Sequence, residues 1–349
     1  MTDSTHRPLR AGVVGLGMMG RNHVRVWDEQ IEGVDLVAVA DPDPVALGRA
    51  TTGRRALGFE DLERMLAEQD LDLVSIVAPT SLHLPTTLAA LGAGANVIVE
   101  KPIAASRDEA IQMIDAASSA NRMLTVGHIE RFNPAIRELH RRLQAGELGR
   151  IFQISATRLG PFPARIRDVG VVVDLGPHDI DIMRYLVGAE PVRLYAEAAR
   201  RIHTDHEDLF NATIKFSNDV IGVLNINWLT PTKRRTLTVT GERGMYVADY
   251  ITQDLVFYAN PEANETWTNP GAGAAITSVT EGEMTRRTVR REEPLLVELR
   301  EFARAVRDGG PPPVDPHDAM VALLLARKMV DSAMHGEVIA GAALEEALA

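Results

Sequence analysis

Residues 11–20 read Ala11-Gly12-Val13-Val14-Gly15-Leu16-Gly17-Met18-Met19-Gly20, and this stretch decides the fold. An apolar run leads into a Gly-x-Gly-x-x-Gly turn. In that pattern Gly15 permits the tight turn, Gly17 lets the backbone approach a pyrophosphate, and Gly20 lets the next helix pack closely on the strand. Leu16, Met18 and Met19 complete the turn, and the helix after it offers unpaired N–H groups and a positive dipole end to phosphates. A second apolar run, Leu36–Ala40, ends in Asp41 about 20 residues after Gly20, where an acid accepts hydrogen bonds from adenine ribose hydroxyls. The same residues also fit a purely structural turn followed by an ordinary turn aspartate. Their order, strand then turn then helix then acid, favours a dinucleotide site. A carboxylate at Asp41 repels a 2′-phosphate and Pro42-Asp43-Pro44 brings no arginine, so NAD is expected rather than NADP. Arg49, Arg54 and Arg55 lie close in sequence and argue the other way.

Outward from the turn, apolar runs continue at Leu73–Ala78, Val97–Val99 and Leu124–Val126. Runs apolar at almost every position suit parallel strands covered on both faces. Helical segments separate them, and Ser106 with Glu109 forms a capping box ahead of Ala110–Ala120. The expected architecture is α/β, with a dinucleotide-binding Rossmann domain over residues 1–126. After Gly127 the texture changes, and residues 127–349 are assigned to a second domain. Ile151–Thr157, Phe210–Phe216, Val220–Trp228, Thr236–Thr240 and Met245–Tyr250 read as strands. Phe210, Ala212, Ile214 and Phe216 alternate with polar residues, as in a sheet with one wetter face. Ser217-Asn218-Asp219 and Gly241–Gly244 are expected hairpin turns. A helix over Ile180–Val187 stops at Gly188, with Pro177 read as its start. Residues 256–293 are polar and receive no assignment. Helices are expected over Leu295–Arg307 and Pro316–Met334, with room for them to pack back on the first domain.

Composition narrows the function classes. The chain has 349 residues, 45% hydrophobic and 24% charged, which suits a globular protein of roughly two domains. The net charge of -11 argues against a nucleic-acid binder, and no apolar run approaches the roughly 18–20 residues of a membrane span. The polar start, MTDSTHRPLR, has no apolar signal core, so a cytoplasmic location is expected. There is no cysteine, which excludes disulfides and thiolate chemistry.

Three stretches together carry a family resemblance: the glycine turn, Glu100-Lys101-Pro102, and Asp174-Leu-Gly-Pro-His178-Asp-Ile-Asp181. In this order and at these distances the chain resembles the Gfo/Idh/MocA oxidoreductases over nearly its whole length. The resemblance implies an N-terminal Rossmann domain and a C-terminal α+β domain with an open, mainly antiparallel sheet that serves in homodimer or homotetramer contacts. Within the family, Val126–Pro134 and Gly160–Gly170 are most similar to members that oxidise nucleotide sugars, such as UDP-N-acetylglucosamine 3-dehydrogenases.

The chemistry implied is hydride transfer at a secondary alcohol carbon of a sugar. Such a reaction needs a base for the hydroxyl proton and a held substrate. Lys101 follows a strand at the carboxyl edge of the sheet, where ligands bind in open α/β folds. Its ammonium would hold the hydroxyl and stabilise a developing alkoxide; a solvated lysine after a strand is the plainer alternative. His178 is the candidate general base. Asp174, four residues earlier, reads equally well as a helix cap or as a group that orients the imidazole; the resemblance favours a site role for both. Asp181 reads as a supporting acid or a helix-start charge. With one histidine in this group and no metal in the resembled family, no metal is expected. His203-Thr-Asp-His206-Glu-Asp208 is read as a solvated polar loop. Pro79, Thr80, His83 and Glu100 fall where the family contacts the dinucleotide; a helix cap with a structural histidine is the plainer alternative for Thr80 and His83. Arg131 and Asn133 follow a strand and point to substrate binding. Arg158, Arg165 and Arg167 precede Asp174, and clustered arginines suit diphosphate recognition by forked hydrogen bonds. Salt-bridge roles for these arginines weigh as much. A nucleotide sugar oxidised at C3 is the favoured substrate; an inositol or free-sugar dehydrogenase and a non-catalytic NAD-binding sensor are the alternatives.

Overall fold

In the computed structural model, which describes residues 7–163, 170–203, 205–260 and 282–348, the chain opens with alternating strands and helices. These are β1 (Leu9–Val14), α1 (Met18–Glu29), β2 (Val34–Ala40), α2 (Pro44–Thr51), β3 (Leu57–Phe59), α3 (Leu62–Glu68), β4 (Leu73–Ile76), α4 (His83–Gly92), β5 (Asn96–Glu100), α5 (Arg107–Ala120) and β6 (Leu124–Gly127). The strands form one parallel sheet in the order β3-β2-β1-β4-β5-β6. Its two halves diverge between β1 and β4, and a dinucleotide fold offers its crevice at such a reversal. β4 is buried at every position, as expected of a strand covered on both faces. Ser106 caps α5, its Oγ accepting from Glu109 N at 3.2 Å, while the Glu109 carboxylate accepts from Ala105 N, one residue before the cap, at 3.0 Å.

The next elements are α6 (Pro134–Gln144), β7 (Ile151–Pro161), α7 (Val171–Val187), β8 (Pro191–Ala199), β9 (Leu209–Phe216), β10 (Ile221–Asn227), β11 (Leu229–Gly241), β12 (Gly244–Asp249), β13 (Asp254–Ala259) and β14 (Met284–Arg287). After them come α8 (Pro294–Asp308), α9 (Pro316–His335), β15 (Ile339–Ala340) and α10 (Ala342–Leu348). The second sheet runs β14-β13-β12-β11-β7-β10-β9-β8-β15. Only the β7–β10 pair among its described strands is parallel; the rest is antiparallel. Ile154, Ala156 and Arg158 of β7 alternate inward with Leu224 and Ile226 of β10, and α7 packs on both strands. The opposite face, with Val223, Met245 and Val247, is half-exposed. The unassigned tract 256–293 contributes β13 and β14, and β8 is a strand that the periodicity did not indicate.

The chain divides into two compact units, residues 1–132 with 292–324, and residues 133–291 with 325–349. α8 belongs to the first. Its Leu295, Leu299 and Phe302 join Trp27 and Val24 of α1 in one core. α7 corrects a sequence expectation. The helix begins at Val171, six residues before Pro177, so proline lies inside it and leaves the Val173 carbonyl without its usual i+4 donor. Glu207 supports the early start: its carbonyl accepts from Val171 N at 2.9 Å, and its carboxylate accepts from Val172 N at 3.2 Å.

Candidate active site

The glycine turn has the shape that a dinucleotide requires. Gly15 sits at φ +88, and a Cβ there would come within 2.6 Å of the Val77 carbonyl oxygen. A side chain at Gly20 would collide with the Gly15 carbonyl. These two glycines let α1 and the loop after β4 close on the turn. Gly17 is different. A Cβ there meets nothing within 4 Å, so among the described residues the protein's own packing does not require a glycine. A closely approaching ligand would require one. Gly17 caps α1, and the amides of Met18, Met19 and Gly20 form its first turn, where N–H groups lack partners within the helix. The Leu16 side chain is buried in the core, and its backbone N–H donates to Asp41 Oδ2 at 2.6 Å. Asp43 N donates to Asp41 Oδ1 at 2.9 Å. Asp41 therefore faces the turn on fixed backbone bonds and keeps acceptor capacity for ribose hydroxyls. Arg54 is engaged with Asp28 and Glu29, at 2.8 and 2.9 Å, which removes one arginine from the case for a 2′-phosphate. These residues fit a dinucleotide.

Along the same edge, Pro79 and Thr80 form a tight turn after β4, with Leu82 N donating to the Pro79 carbonyl at 2.8 Å. His83 corrects an expectation. It is 1% exposed, with Nδ1 3.0 Å from the Pro102 carbonyl and Nε2 3.0 Å from the Ala78 carbonyl. Both ring nitrogens face the protein, so the imidazole ties the β4 turn to the β5 turn and reaches no ligand. Lys101 follows β5, is half-buried, and is joined to Pro102 by a cis peptide bond. Its backbone N–H donates to Glu100 Oε2 at 3.2 Å, and Glu100 Oε1 lies 3.2 Å from Nε2 of the buried His23 on α1. Burial pushes the Glu100 carboxyl up, but His23 and Lys101 outweigh it and hold the group below its ordinary range. Arg131 is buried against Asp318 at 3.0 Å. The reading of Arg131 as a ligand side chain gives way to an ion pair within the first unit.

In the second unit, Asp174 and His178 stand one turn apart on α7. Val173, Asp174, Leu175 and His178 are its partly exposed residues near the N-terminal end, flanked by buried Val172, Gly176, Pro177 and Asp179. Asp174 lies in the first turn, its N–H bonded to the Gly170 carbonyl at 3.1 Å, so it is a helical residue rather than the cap. Asp181 is buried. Asn133 is also buried; its Oδ1 accepts from Ala135 N at 3.1 Å and its Nδ2 donates to the Tyr250 carbonyl at 3.0 Å. It caps α6, and both ends of its side chain are engaged within the protein. Arg158 is 2% exposed, its guanidinium forked onto Asp179 at 2.8 and 2.9 Å and lying 5.3 Å from the centre of the Tyr250 ring. That corrects its reading as a diphosphate ligand. Arg165 and Arg167 lie outside the described residues.

The loop expected to be solvated is only partly so among its described residues: Asp205 is exposed and His206 and Glu207 half-exposed, while His203 and Asp208 are buried. Asp208 is fully buried and accepts backbone N–H bonds from Arg201, Ile202 and His203. Burial raises its carboxyl, yet those bonds prevail and hold it below its ordinary range. His203 packs between Phe162 and Trp228. Among the described residues no group of three or more His, Asp or Glu side chains is arranged to hold a metal ion, and no helix is long and apolar enough to cross a membrane.

Two buried ionisable residues escaped the sequence reading, His23 and Glu298. His23 follows Gly20 by one helical turn on the strand-facing side. Glu298 falls in the apolar stripe Leu295, Leu299, Phe302, at a position where an acid is out of place. Either departure would have marked the residue.

A six-stranded parallel sheet with a glycine turn at its switch point, and a lysine on the same edge, define an NAD-binding oxidoreductase. Known proteins agree. Residues 9–128 match the model of an oxidoreductase family with an NAD-binding Rossmann fold, and residues 136–247 match the GFO/IDH/MocA C-terminal domain. The UDP-N-acetylglucosamine 3-dehydrogenase of Acidithiobacillus ferrooxidans is 31% identical over 250 residues, 72% of this chain and 77% of that protein. Its crystal structure superposes with a TM-score of 0.82 at 26% identity, covering 94% of this chain and 98% of that one. The scyllo-inositol 2-dehydrogenase (NAD(+)) of Bacillus subtilis is 36% identical over 190 residues, 52% of this chain and 55% of that protein. The chain belongs to the Gfo/Idh/MocA oxidoreductase family.

Proposed function

We propose that this protein is an NAD-dependent dehydrogenase that oxidises a secondary alcohol carbon of a sugar, with a nucleotide sugar oxidised at C3 as the substrate. The observation that carries the alcohol chemistry is the pairing of Asp174 and His178 on one partly exposed face of α7, in a chain whose Lys101 stands at the cofactor edge of the parallel sheet. The substrate class is supported by the similarity to a UDP-N-acetylglucosamine 3-dehydrogenase, which spans more of the chain than the similarity to the inositol enzyme.

In this reading Gly15, Gly17 and Gly20 shape the pyrophosphate seat, Met18 and Met19 present helix amides, and Asp41 accepts the adenine ribose hydroxyls. Pro79, Thr80 and Glu100 line the nicotinamide side. Bound NAD supplies the hydride acceptor. Lys101 holds the substrate hydroxyl and stabilises negative charge as it develops on oxygen. His178 takes the hydroxyl proton, and Asp174 orients the imidazole or the substrate. Arg165 and Arg167 are the remaining arginines for the diphosphate. The half-exposed face of the second sheet supports a homodimer or homotetramer. The inositol reading is favoured by the higher identity to the Bacillus enzyme over half the chain, and it predicts that Arg165 and Arg167 can be replaced at little cost.

Replacing Lys101 by Met, or His178 by Asn, should lower kcat by about 10²–10³-fold. NAD binding to the His178 variant, followed by fluorescence titration, should stay within about threefold of the parent, because the imidazole acts on the substrate proton. Turnover near the parent level in both variants would end the assignment.

A further inference from the structure

α8 carries an acid where its apolar stripe should continue. Leu295, Leu299 and Phe302 are buried, and Glu298, on the same face, is 1% exposed. Neither of its carboxyl oxygens has a hydrogen-bond partner among the described residues. An ionised carboxylate is strongly disfavoured in such a place. Burial first, and then the nearby charge of Glu100, hold Glu298 well above the ordinary carboxyl range. It keeps its proton where a surface glutamate has lost it.

Its surroundings give that neutrality a use. α8 packs on α1 and on the 3-10 turn Ile129–Phe132. α1 brings His23 and Arg25, the latter bound to Glu293 at the start of α8. The 3-10 turn brings Glu130 and Arg131, the latter bound to Asp318 of α9. The end of β5 brings Glu100 and Lys101. Among these, Glu100 is the group whose charge acts on Glu298. Glu100 in turn accepts from His23 and from the Lys101 backbone, both at 3.2 Å. The second nitrogen of His23, Nδ1, is buried without a hydrogen-bond partner among the described residues, so Glu100 is the one anchor of that ring.

We propose that Glu298 is a positioning residue for Lys101: an acid buried without a partner beside the core that α8 shares with Ile98 of β5, kept uncharged so that Glu100 alone holds His23 and the Lys101 backbone. The inference rests on the reading of Lys101 as the catalytic lysine. Its sign follows from linkage. The folded-state pKa of Glu298 lies above the unfolded value, so the stability of the neutral form is fully present below about pH 4.3 and is lost as pH rises toward the folded value. Gln or Met at this position carries no such loss.

The test compares the parent protein with Glu298→Gln and Glu298→Met between pH 5 and 9. The Tm of each variant minus that of the parent should widen with pH, by up to about tenfold in folding constant per pH unit, until Glu298 ionises and the gap levels off. Over that same range the Glu298 side-chain carboxyl resonance should move in the parent as the proton leaves. The kcat/KM profile of the parent should contain an ionisation above the ordinary carboxyl range that Glu298→Gln lacks. Glu301→Gln, one turn along and paired with Arg304 at the surface, should track the parent throughout. Parallel Tm curves, a Glu298 carboxyl resonance that does not move, and superimposable pH profiles for parent and Glu298→Gln would overturn the proposal. The Tm and resonance arms need no turnover, so a failed acid cluster is told apart from a failed lysine: a cluster that titrates as described beside a fully active Lys101→Met would overturn the role toward Lys101 through the reading beneath it.

Discussion

The turn after β5 and the strand β7 each set a cation beside a buried acid, and they use it in opposite ways. At the β5 turn, Glu100 takes the backbone N–H of Lys101 and the ring of His23, and the lysine side chain remains half-buried at the edge where ligands approach. Asp179 of α7 takes both arms of the guanidinium of Arg158 on β7, and the pair is sealed from solvent. A charge in the sequence marks a ligand site only where the fold leaves it accessible. Lys101 stands past the end of its strand. Arg158 shares the inward face of β7 with Ile154 and Ala156.

Breaking the buried pair gives the largest effect expected. Arg158→Met strands the Asp179 carboxylate, and losing one partner of a buried ion pair costs about 3–5 kcal/mol. Chemical unfolding should show that loss, with KM for any substrate little changed in the folded fraction. A raised KM at full stability would return Arg158 to the substrate site and dissolve the contrast with Lys101. A smaller effect sharpens the other half of the comparison. Asp41→Asn keeps an acceptor for Leu16 but removes the charge that repels a 2′-phosphate. The ratio of kcat/KM for NAD over NADP should fall by about tenfold, equivalent to about 1.4 kcal/mol. An unchanged ratio would mean that other residues set the choice of cofactor.

Most of the first unit was legible because its signals are local. The glycine spacing, the runs of buried apolar residues and the Ser106–Glu109 box each specify an element from within about ten residues. The second unit was less legible because its decisive contacts are distant. Glu207 starts α7 from 35 positions away, so Pro177 was mistaken for the first helical residue. Asn133 finds its partner at Tyr250, 117 positions along, which spacing does not reveal. β7 did carry a readable clue. Its period of two places Arg158 with Ile154 and Ala156 on the core face, and that alternation outweighs any clustering with Arg165 and Arg167. Glu298 carried another, an acid inside an apolar helical stripe, and such mismatches between local chemistry and pattern often mark functional positions.

The central claim is tested most directly by following NADH absorbance with purified protein, NAD and a set of alcohols: UDP-N-acetylglucosamine and its uronate, other UDP- and dTDP-sugars, myo-inositol and glucose. The account predicts turnover with a nucleotide sugar and little or none with inositol or glucose. Turnover confined to inositol or a free sugar would contradict it and leave the arginines before Asp174 with structural roles alone.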